Sequence, residues 1–304
     1  MNSTDKKEIV MNRINSSSLF HFTRKFDTLK LIIEKGLRYS FSVEDRPETV
    51  ECNNCSKGKI IIPMICFCDV PLMRTPIHRE TYGSYCIGFD KYFLVKKLGE
   101  TLNPVSYYNS VKAKDALRTL YDFSDMKINE GFSELRNDPT LAFDINNNFL
   151  QGNRIQKSLK YILAYYKPCY KILETGLFKD YTDEREWRAI LEENKKEGCI
   201  WNFSASGQLY YDDVKKEECT IAKKTASMCN EDICDNSSFF LRLTEDEIGK
   251  SLTHILTNKE AEVPLMVDFI FNNISLFGCK SVSENLRKIL VSKITSFERI
   301  EKDF

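Results

Sequence analysis

The chain has 304 residues, 42% apolar and 29% charged, with 44 basic and 44 acidic side chains. That apolar share is ample for a sizeable core and excludes wholesale disorder. The zero formal charge excludes a chain-wide electrostatic grip on nucleic acid or anionic membrane, leaving only a local basic groove open.

Residues 1–18 are polar, and no apolar stretch of the kind a secretory signal needs follows Met1 to Arg13. Residues 19–23 are short and aromatic-rich and read as a strand. Asp27 offers an N-cap, Leu29, Ile32 and Ile33 follow at helical spacing, and Gly36 stands where a C′ glycine belongs. Residues 40–59 are polar and turn-rich. Residues 59–68 read as a buried strand, and their apolar run, broken by Pro63, falls far short of the ~18 residues of a membrane span. A helical turn over 78–82 and a strand over 85–89 follow.

Residues 110–121 have helical composition, whereas 122–153, with Asn and Asp clusters, read as an inserted loop region with some helix. Ile155, Leu159, Ile162, Leu163 and Tyr166 form one helical stripe ended by Pro168. Strands recur at 170–173 and 184–191, with pieces near Trp201 and at 209–211. A second insertion spans 212–238, with a polar loop over 228–238. Thr244 with Glu247, and Ser281 with Glu284, are capping-box patterns. A last helix over 282–294 buries Leu286, Ile289 and Leu290. Strands and helices in mixed order, without regular βαβ alternation, predict an α+β fold. With no Pro/Gly/Ser linker, the expectation is one domain over 1–304, a central mixed or antiparallel sheet with helical insertions.

Three segments carry candidate chemistry. On the strand 19–23, His21 and Thr23 share one face, either a polar pair lining a cleft or a satisfied core histidine on an edge strand. On the strand 184–191, Glu184, Glu186 and Arg188 share a face, with same-face neighbours ~6.7 Å apart. They are either a device for holding a ribose hydroxyl and a developing cation, or an ion pair lacing an exposed strand. In Thr81-Tyr82-Gly83-Ser84-Tyr85, Gly83 permits a sharp bend, and either tyrosine is a stacking ring or a core residue. His78 lies four residues before Tyr82 and shares a helical face with it.

There are 11 cysteines, an odd number at scattered positions, which reads as reduced thiols in a cytoplasm. Cys52 and Cys55 with Cys66 and Cys68 number enough for a zinc site. The second pair, however, lies in an apolar strand facing one side of a sheet, so buried packing is the expectation and no metal is expected.

Taken in order, several segments resemble one known family. They are Leu19-Phe20-His21-Phe22-Thr23 with a helix ending in Lys35-Gly36, then Ile62-Pro63-Met64-Ile65-Cys66-Phe67-Cys68-Asp69-Val70-Pro71-Leu72, then His78. Next come Tyr82-Gly83-Ser84-Tyr85-Cys86-Ile87-Gly88-Phe89, Asn103-Pro104-Val105, Tyr181-Thr182-Asp183-Glu184-Arg185-Glu186-Trp187-Arg188 and Leu290-Val291-Ser292-Lys293-Ile294. The chain resembles AbiGi, a family of bacterial abortive-infection proteins that act against phage. The resemblance runs from about residue 19 to the C-terminus. The family's antitoxin label names a genetic role and not a chemistry.

A second resemblance bears on chemistry. A His-x-Thr strand, a tyrosine-bearing strand and a late Glu-x-Glu strand are similar to the ADP-ribosyltransferase superfamily, DarT-like DNA-modifying toxins included. It implies a transferase-like fold with NAD as substrate. His21 and Thr23 would hold the adenosine ribose, and Tyr82 or Tyr85 would pack on nicotinamide. Glu186 would be catalytic, with Glu184 and His21 beside it, and Arg24 or Arg188 would pair with the pyrophosphate. Cleavage of the nicotinamide–ribose bond passes through an oxocarbenium-like transition state that a fixed carboxylate stabilises. Two functions stay open: an NAD-consuming transferase toxin acting on nucleic acid or protein, and a non-catalytic antitoxin that neutralises a partner toxin. Having His21, Glu184 and Glu186 together favours the enzyme, which requires His21, Tyr85 and Glu186 to converge on one cleft.

Overall fold

The strand and helix that open the fold form where the apolar spacing places them. β1 (Ser18–Thr23) leads into α1 (Phe26–Lys35), whose buried face is Leu29, Ile32 and Ile33. Lys25, not Asp27, is the extended N-cap; Asp27 sits in the first turn, where its charge favours the positive end of the helix dipole. Gly36 ends the helix at φ 97°. The structure, a computed structural model, describes residues 16–45, 59–137, 147–172, 178–191 and 239–303.

Along the chain follow β2 (Ser40–Asp45), β3 (Lys59–Cys68), α2 (Pro76–Tyr82), β4 (Tyr85–Asp90), α3 (Lys91–Leu98), β5 (Leu102–Pro104) and β6 (Ser106–Tyr108). Two long helices come next, α4 (Val111–Asn137) and α5 (Asn147–Tyr165). The short strands β7 (Tyr166–Pro168), β8 (Tyr170–Ile172) and β9 (Phe178–Asp180) lead into β10 (Glu186–Ile190). The C-terminal part comprises α6 (Glu245–Ser251), β11 (Leu252–Thr257), α7 (Val263–Asn272), β12 (Ser275–Leu276), β13 (Cys279–Lys280), α8 (Glu284–Val291), β14 (Ile294–Ser296) and α9 (Phe297–Asp303).

Eight of these strands form one sheet in the order β14-β11-β4-β1-β3-β10-β5, with β2 also paired to β3. The sheet is mixed: β11 and β14 run parallel, and the other pairs are antiparallel. The fold is therefore α+β around a mixed central sheet, as the order of elements predicts.

Side-chain alternation sends apolar residues to both faces. On the first face, Leu19, Ile65, Phe67, Ile87, Phe89 and Ala189 pack under α1, α3, α6, α7 and α8, which contribute Leu29, Ile33, Leu94, Ile248, Met266, Ile270, Leu286 and Leu290. The second face is covered in two separate places. Ile62, Met64 and Ile190 meet Leu163 and Ala164 of α5; Phe20, Cys86 and Leu256 meet Phe297 of α9. Between these two apolar patches lies a polar gap.

Two expectations are corrected. Residues 122–153 are mostly helix, because α4 continues to Asn137 and α5 starts at Asn147. Their buried stripe is Ser124, Ile128 and Gly131, small enough for close helix approach but too weakly apolar to show as periodicity. The final cap is Ser283, whose hydroxyl accepts from Leu286 N, while Ser281 adopts φ 60°. Thr244 with Glu247 does form a capping box. The expected elements near Trp201, at 209–211 and over 212–238, and the Cys52–Cys55 pair, lie outside the described residues.

Candidate functional site

β1 touches β3 at one register point, Phe20 opposite Cys68; further along, β2 becomes the partner of β3. The Cys66 carbonyl bordering this opening is met by a side chain, His21 Nδ1 at 2.8 Å. A carbonyl only accepts, so Nδ1 carries the proton and the ring completes the ladder where backbone cannot. Burial pushes the His21 pKa down, which keeps the imidazole neutral near pH 7. His21 thus behaves as a satisfied structural histidine.

Register decides what His21 can reach. His21 pairs across to Ile87 and Thr23 to Tyr85, on the first face with Leu19 and Phe89. Glu186 pairs with Cys68, which also pairs with Phe20, so Glu186 lies on the second face. One residue of offset flips a side chain through the sheet. His21, Tyr85 and Glu186 therefore do not converge. Tyr85 instead stacks near Phe26 with ring centroids 5.8 Å apart and donates to Glu262 Oε1 at 2.7 Å. Arg24 is exposed and, among the described residues, hydrogen-bonds the Thr81 carbonyl alone, at 3.3 Å.

The other expected residues do meet, in the polar gap of the second face. The strand begins at Glu186 rather than Glu184; Glu184 closes a 3-10 turn, and Arg185 takes φ 43° to redirect the chain into β10. Arg188 is fully buried and donates from all three of its nitrogens. Nε donates to Glu186 Oε1 at 2.8 Å, Nη2 to Glu186 Oε2 at 3.1 Å and to Glu44 Oε2 at 3.0 Å, and Nη1 to the Ala164 carbonyl at 2.8 Å. Lys167 of β7 bridges the carboxylates, with Nζ 2.6 Å from Glu184 Oε2 and 3.1 Å from Glu186 Oε2. The same ammonium sits 4.3 Å from the Tyr181 ring centroid.

Aromatic and imidazole groups close the cluster. Tyr107 Oη lies 3.4 Å from the Glu186 amide, and Tyr82, at the end of α2, hydrogen-bonds the Glu184 side chain. His78, one turn earlier on α2 and only 5% exposed, directs Nε2 at the Glu184 carbonyl, 3.2 Å away. Its Nδ1 is buried without a hydrogen-bond partner among the described residues.

The electrostatics follow from this packing. Burial alone would raise the Glu186 carboxyl, but Arg188 and Lys167 outweigh it and hold the group well below the usual carboxylate range, at about 2. Burial likewise opposes the charge on Lys167, and Glu186 and Glu184 overcome it, so its pKa is raised. Burial drives the Tyr82 and Tyr107 hydroxyls up, with Glu184 adding to the shift at Tyr82. The Cys66 and Cys68 thiols are pushed up chiefly by burial, so they pack rather than react.

The expected residues thus divide. Tyr82, Glu184, Glu186 and Arg188 belong to one cluster, whereas His21, Thr23, Arg24 and Tyr85 lie apart from it. Sequence reasoning missed Lys167, Glu44, Tyr107 and Tyr181. No spacing rule marks them, because they reach the cluster from β7, β2, β6 and the turn before β10. Lys167 next to Pro168, the residue predicted to end α5, was the one local hint of a change in backbone direction.

Comparison with known proteins bears on the same region. A family model described as "Putative abortive phage resistance protein AbiGi, antitoxin" matches residues 40–248, a span that contains the cluster but not His21. The "Abortive phage resistance protein AbiGi" of Lactococcus lactis subsp. cremoris is 24% identical over 269 residues, covering 85% of this chain and 97% of that protein. No solved structure matches the chain.

Proposed function

Since the chain belongs to the AbiGi family of abortive phage resistance proteins, we propose that it acts in abortive phage resistance as a non-catalytic antitoxin that binds and restrains a toxin partner. The family description supplies the antitoxin role. One observation carries the non-catalytic part: the two-pronged clamp of Arg188 on Glu186, reinforced by Lys167. A carboxylate stabilises an oxocarbenium-like transition state through its unbalanced negative charge. Two cations within hydrogen-bond distance cancel that field where the reaction would need it. The residues expected to hold NAD are also split between opposite faces of the sheet, so they do not fit as one NAD site. The toxin would be met in the cytoplasm, where free thiols such as Cys66, Cys68 and Cys86 persist.

The transferase reading, with its ADP-ribosyltransferase-like fold, keeps one observation in its favour: Tyr82 stands beside Glu184, with Glu186 in the same cluster. Co-expression separates the two. Under the antitoxin reading the chain is harmless alone, restores growth to cells expressing the toxic product of an adjacent gene, and leaves labelled NAD intact in extract. Growth arrest by the chain alone, with transfer of label from NAD that Glu186→Gln abolishes, would replace the antitoxin with the transferase.

A further inference from the structure

Charge is spread unevenly along this neutral chain. Residues 145–173 carry five basic side chains, Arg154, Lys157, Lys160, Lys167 and Lys171, and no Asp or Glu. Most of this stretch is α5 and the short strands that follow it. The buried positions of α5, Gly152, Gln156, Leu159 and Leu163, recur at helical spacing and turn toward α4 and the sheet. Arg154, Lys157 and Tyr161, spaced i, i+3 and i+7, fall together on the outer side and are exposed. They span about 10 Å along the helix axis. The aromatic row continues past the helix. Tyr166 opens β7, and alternation directs its ring away from Lys167, which turns into the buried cluster. Tyr161, Tyr166 and Tyr170 are 46%, 38% and 44% exposed. The backbone beneath them is fastened: the Ala164 carbonyl accepts from Arg188 at 2.8 Å, and Tyr165 Oη donates to the Thr101 carbonyl at 2.7 Å. Asp125 and Glu134 of α4 sit at the seam between the two helices, where Gln156 and Asn148 donate to them, and not on the outer row.

We propose that this outer row of Arg154, Lys157, Tyr161, Tyr166 and Tyr170 binds single-stranded nucleic acid, the cations meeting phosphates and the tyrosine rings stacking on unpaired bases. The inference goes beyond the antitoxin reading and does not rest on it. Charge complementarity selects a polyanion, since the row stands in a stretch that has lost every carboxylate while the chain as a whole is neutral. The rings decide which polyanion. An acidic peptide matches the cations alone, whereas a single strand presents a planar base with every phosphate. In a duplex those planes are stacked on one another and closed to a tyrosine.

The test uses the full-length chain and a fluorescein-labelled oligothymidylate of about 12 nucleotides. Binding is read as fluorescence anisotropy from about 50 mM salt upward. Arg154→Ala/Lys157→Ala should make the slope of log K against log salt shallower by about 1.4, two phosphate contacts at about 0.7 each on a single strand. Tyr161→Ala should weaken binding about tenfold and leave that slope unchanged. Lys250→Ala/Lys288→Ala removes two exposed cations from α6 and α8 and should leave affinity and slope at the wild-type values. An unlabelled duplex of the same length and a poly-glutamate peptide serve as competitors. Displacement by the peptide as effective as that by unlabelled oligothymidylate would put an acidic protein segment in place of nucleic acid and overturn the inference. So would equal competition by the duplex, binding that the row variants leave unaltered, or no binding at about 0.1 mM protein, the weak end of non-specific affinity.

Discussion

Arg188 has no exposed atom surface to speak of, so its charge depends on Glu186 and Glu44 for compensation. Glu186→Gln keeps the shape and removes one of those charges. Breaking a buried pair from one side costs roughly 3–5 kcal/mol; with Glu44 still bound to Nη2, a loss near the lower end, about 3 kcal/mol, is expected in urea unfolding. The substitution is therefore not the silent one that a surface carboxylate on a strand would give. Its pH signature has a definite sign. The folded Glu186 pKa is depressed to about 2 against an unfolded value of about 4.3. Its contribution is present above the unfolded value and is lost as pH falls through that window. Stability of the wild type should fall between about pH 4 and pH 2 more steeply than that of Glu186→Gln, as followed by denaturant midpoints across pH. His21 and His254, both pushed down by burial, act at higher pH. Their unfolded forms take up protons first, so stability should begin to decline below about pH 6.5. His21 and Glu186 were legible as polar groups on strands, whereas Glu184, expected on the strand of Glu186, closes the turn before it. Which face each strand residue occupies was not legible, because that depends on the β1–β3 register, set by a single pairing between residues 48 positions apart in sequence, Phe20 and Cys68.

Strands and helices with strong periodicity were legible to within a residue or two: β3 occupies the expected 59–68, and α1 buries the expected Leu29, Ile32 and Ile33. Elements whose formation depends on close backbone approach were not. Gly152 of α5 would bring a Cβ within 2.6 Å of Ile128 Cγ1 and 2.7 Å of the Ser124 carbonyl in α4, so the hairpin is held by what is missing from the interface rather than by an apolar stripe. Gly83 was legible as a bend, and its role is stricter than a bend requires. At φ 111° it caps α2 with its backbone against Thr23 and Arg24, and a Cβ there would overlap the Thr23 carbonyl. Both the left-handed conformation and the contact penalise any side chain. Gly83→Ala should cost at least about 3 kcal/mol, and because Tyr82 precedes it, the substitution should also loosen the cluster. A fall in the denaturant midpoint for Gly83→Ala well beyond that of Gly99→Ala is the check. Gly99 also has positive φ, 54°, but a Cβ there meets nothing within 4 Å, so it reports the conformational penalty alone.

At the scale of the whole molecule, the first and last described strands share one sheet: β1 lies two strands from β11, to which β14 is paired. The C-terminal residues therefore complete a core begun at residue 18. Phe297, 1% exposed, fills the patch formed by Phe20, Cys86 and Leu256, and its ring stacks near Phe22 at 6.2 Å. Arg79 of α2 reaches over that ring, 4.4 Å from its centroid, and pairs with Glu301 of α9. The Glu298 amide bonds to the Asn258 carbonyl at 3.2 Å, and the Ser296 hydroxyl to Glu260 at 2.6 Å. These links tie α9 both to the sheet and to α2, the helix that presents His78 and Tyr82 to Glu184. Removal of one buried phenylalanine side chain costs about 3–5 kcal/mol, a large part of the roughly 5–15 kcal/mol that holds a typical domain together. Phe297→Ala should lower the unfolding free energy measured in urea by that amount in one cooperative step, with a correspondingly lower midpoint, and deletion of residues 294–304 should abolish the transition altogether. In a Trp201→Phe background, tryptophan fluorescence offers a local readout, since Trp187 lies in β10 on the opposite face, against the first core. If Trp187 and far-ultraviolet circular dichroism report the same lowered midpoint in Phe297→Ala, the two faces unfold as one. A variant in which the C-terminal helix is lost while Trp187 keeps its native midpoint would show instead that α9 is an appendage, and that the cluster on the second face is held without it.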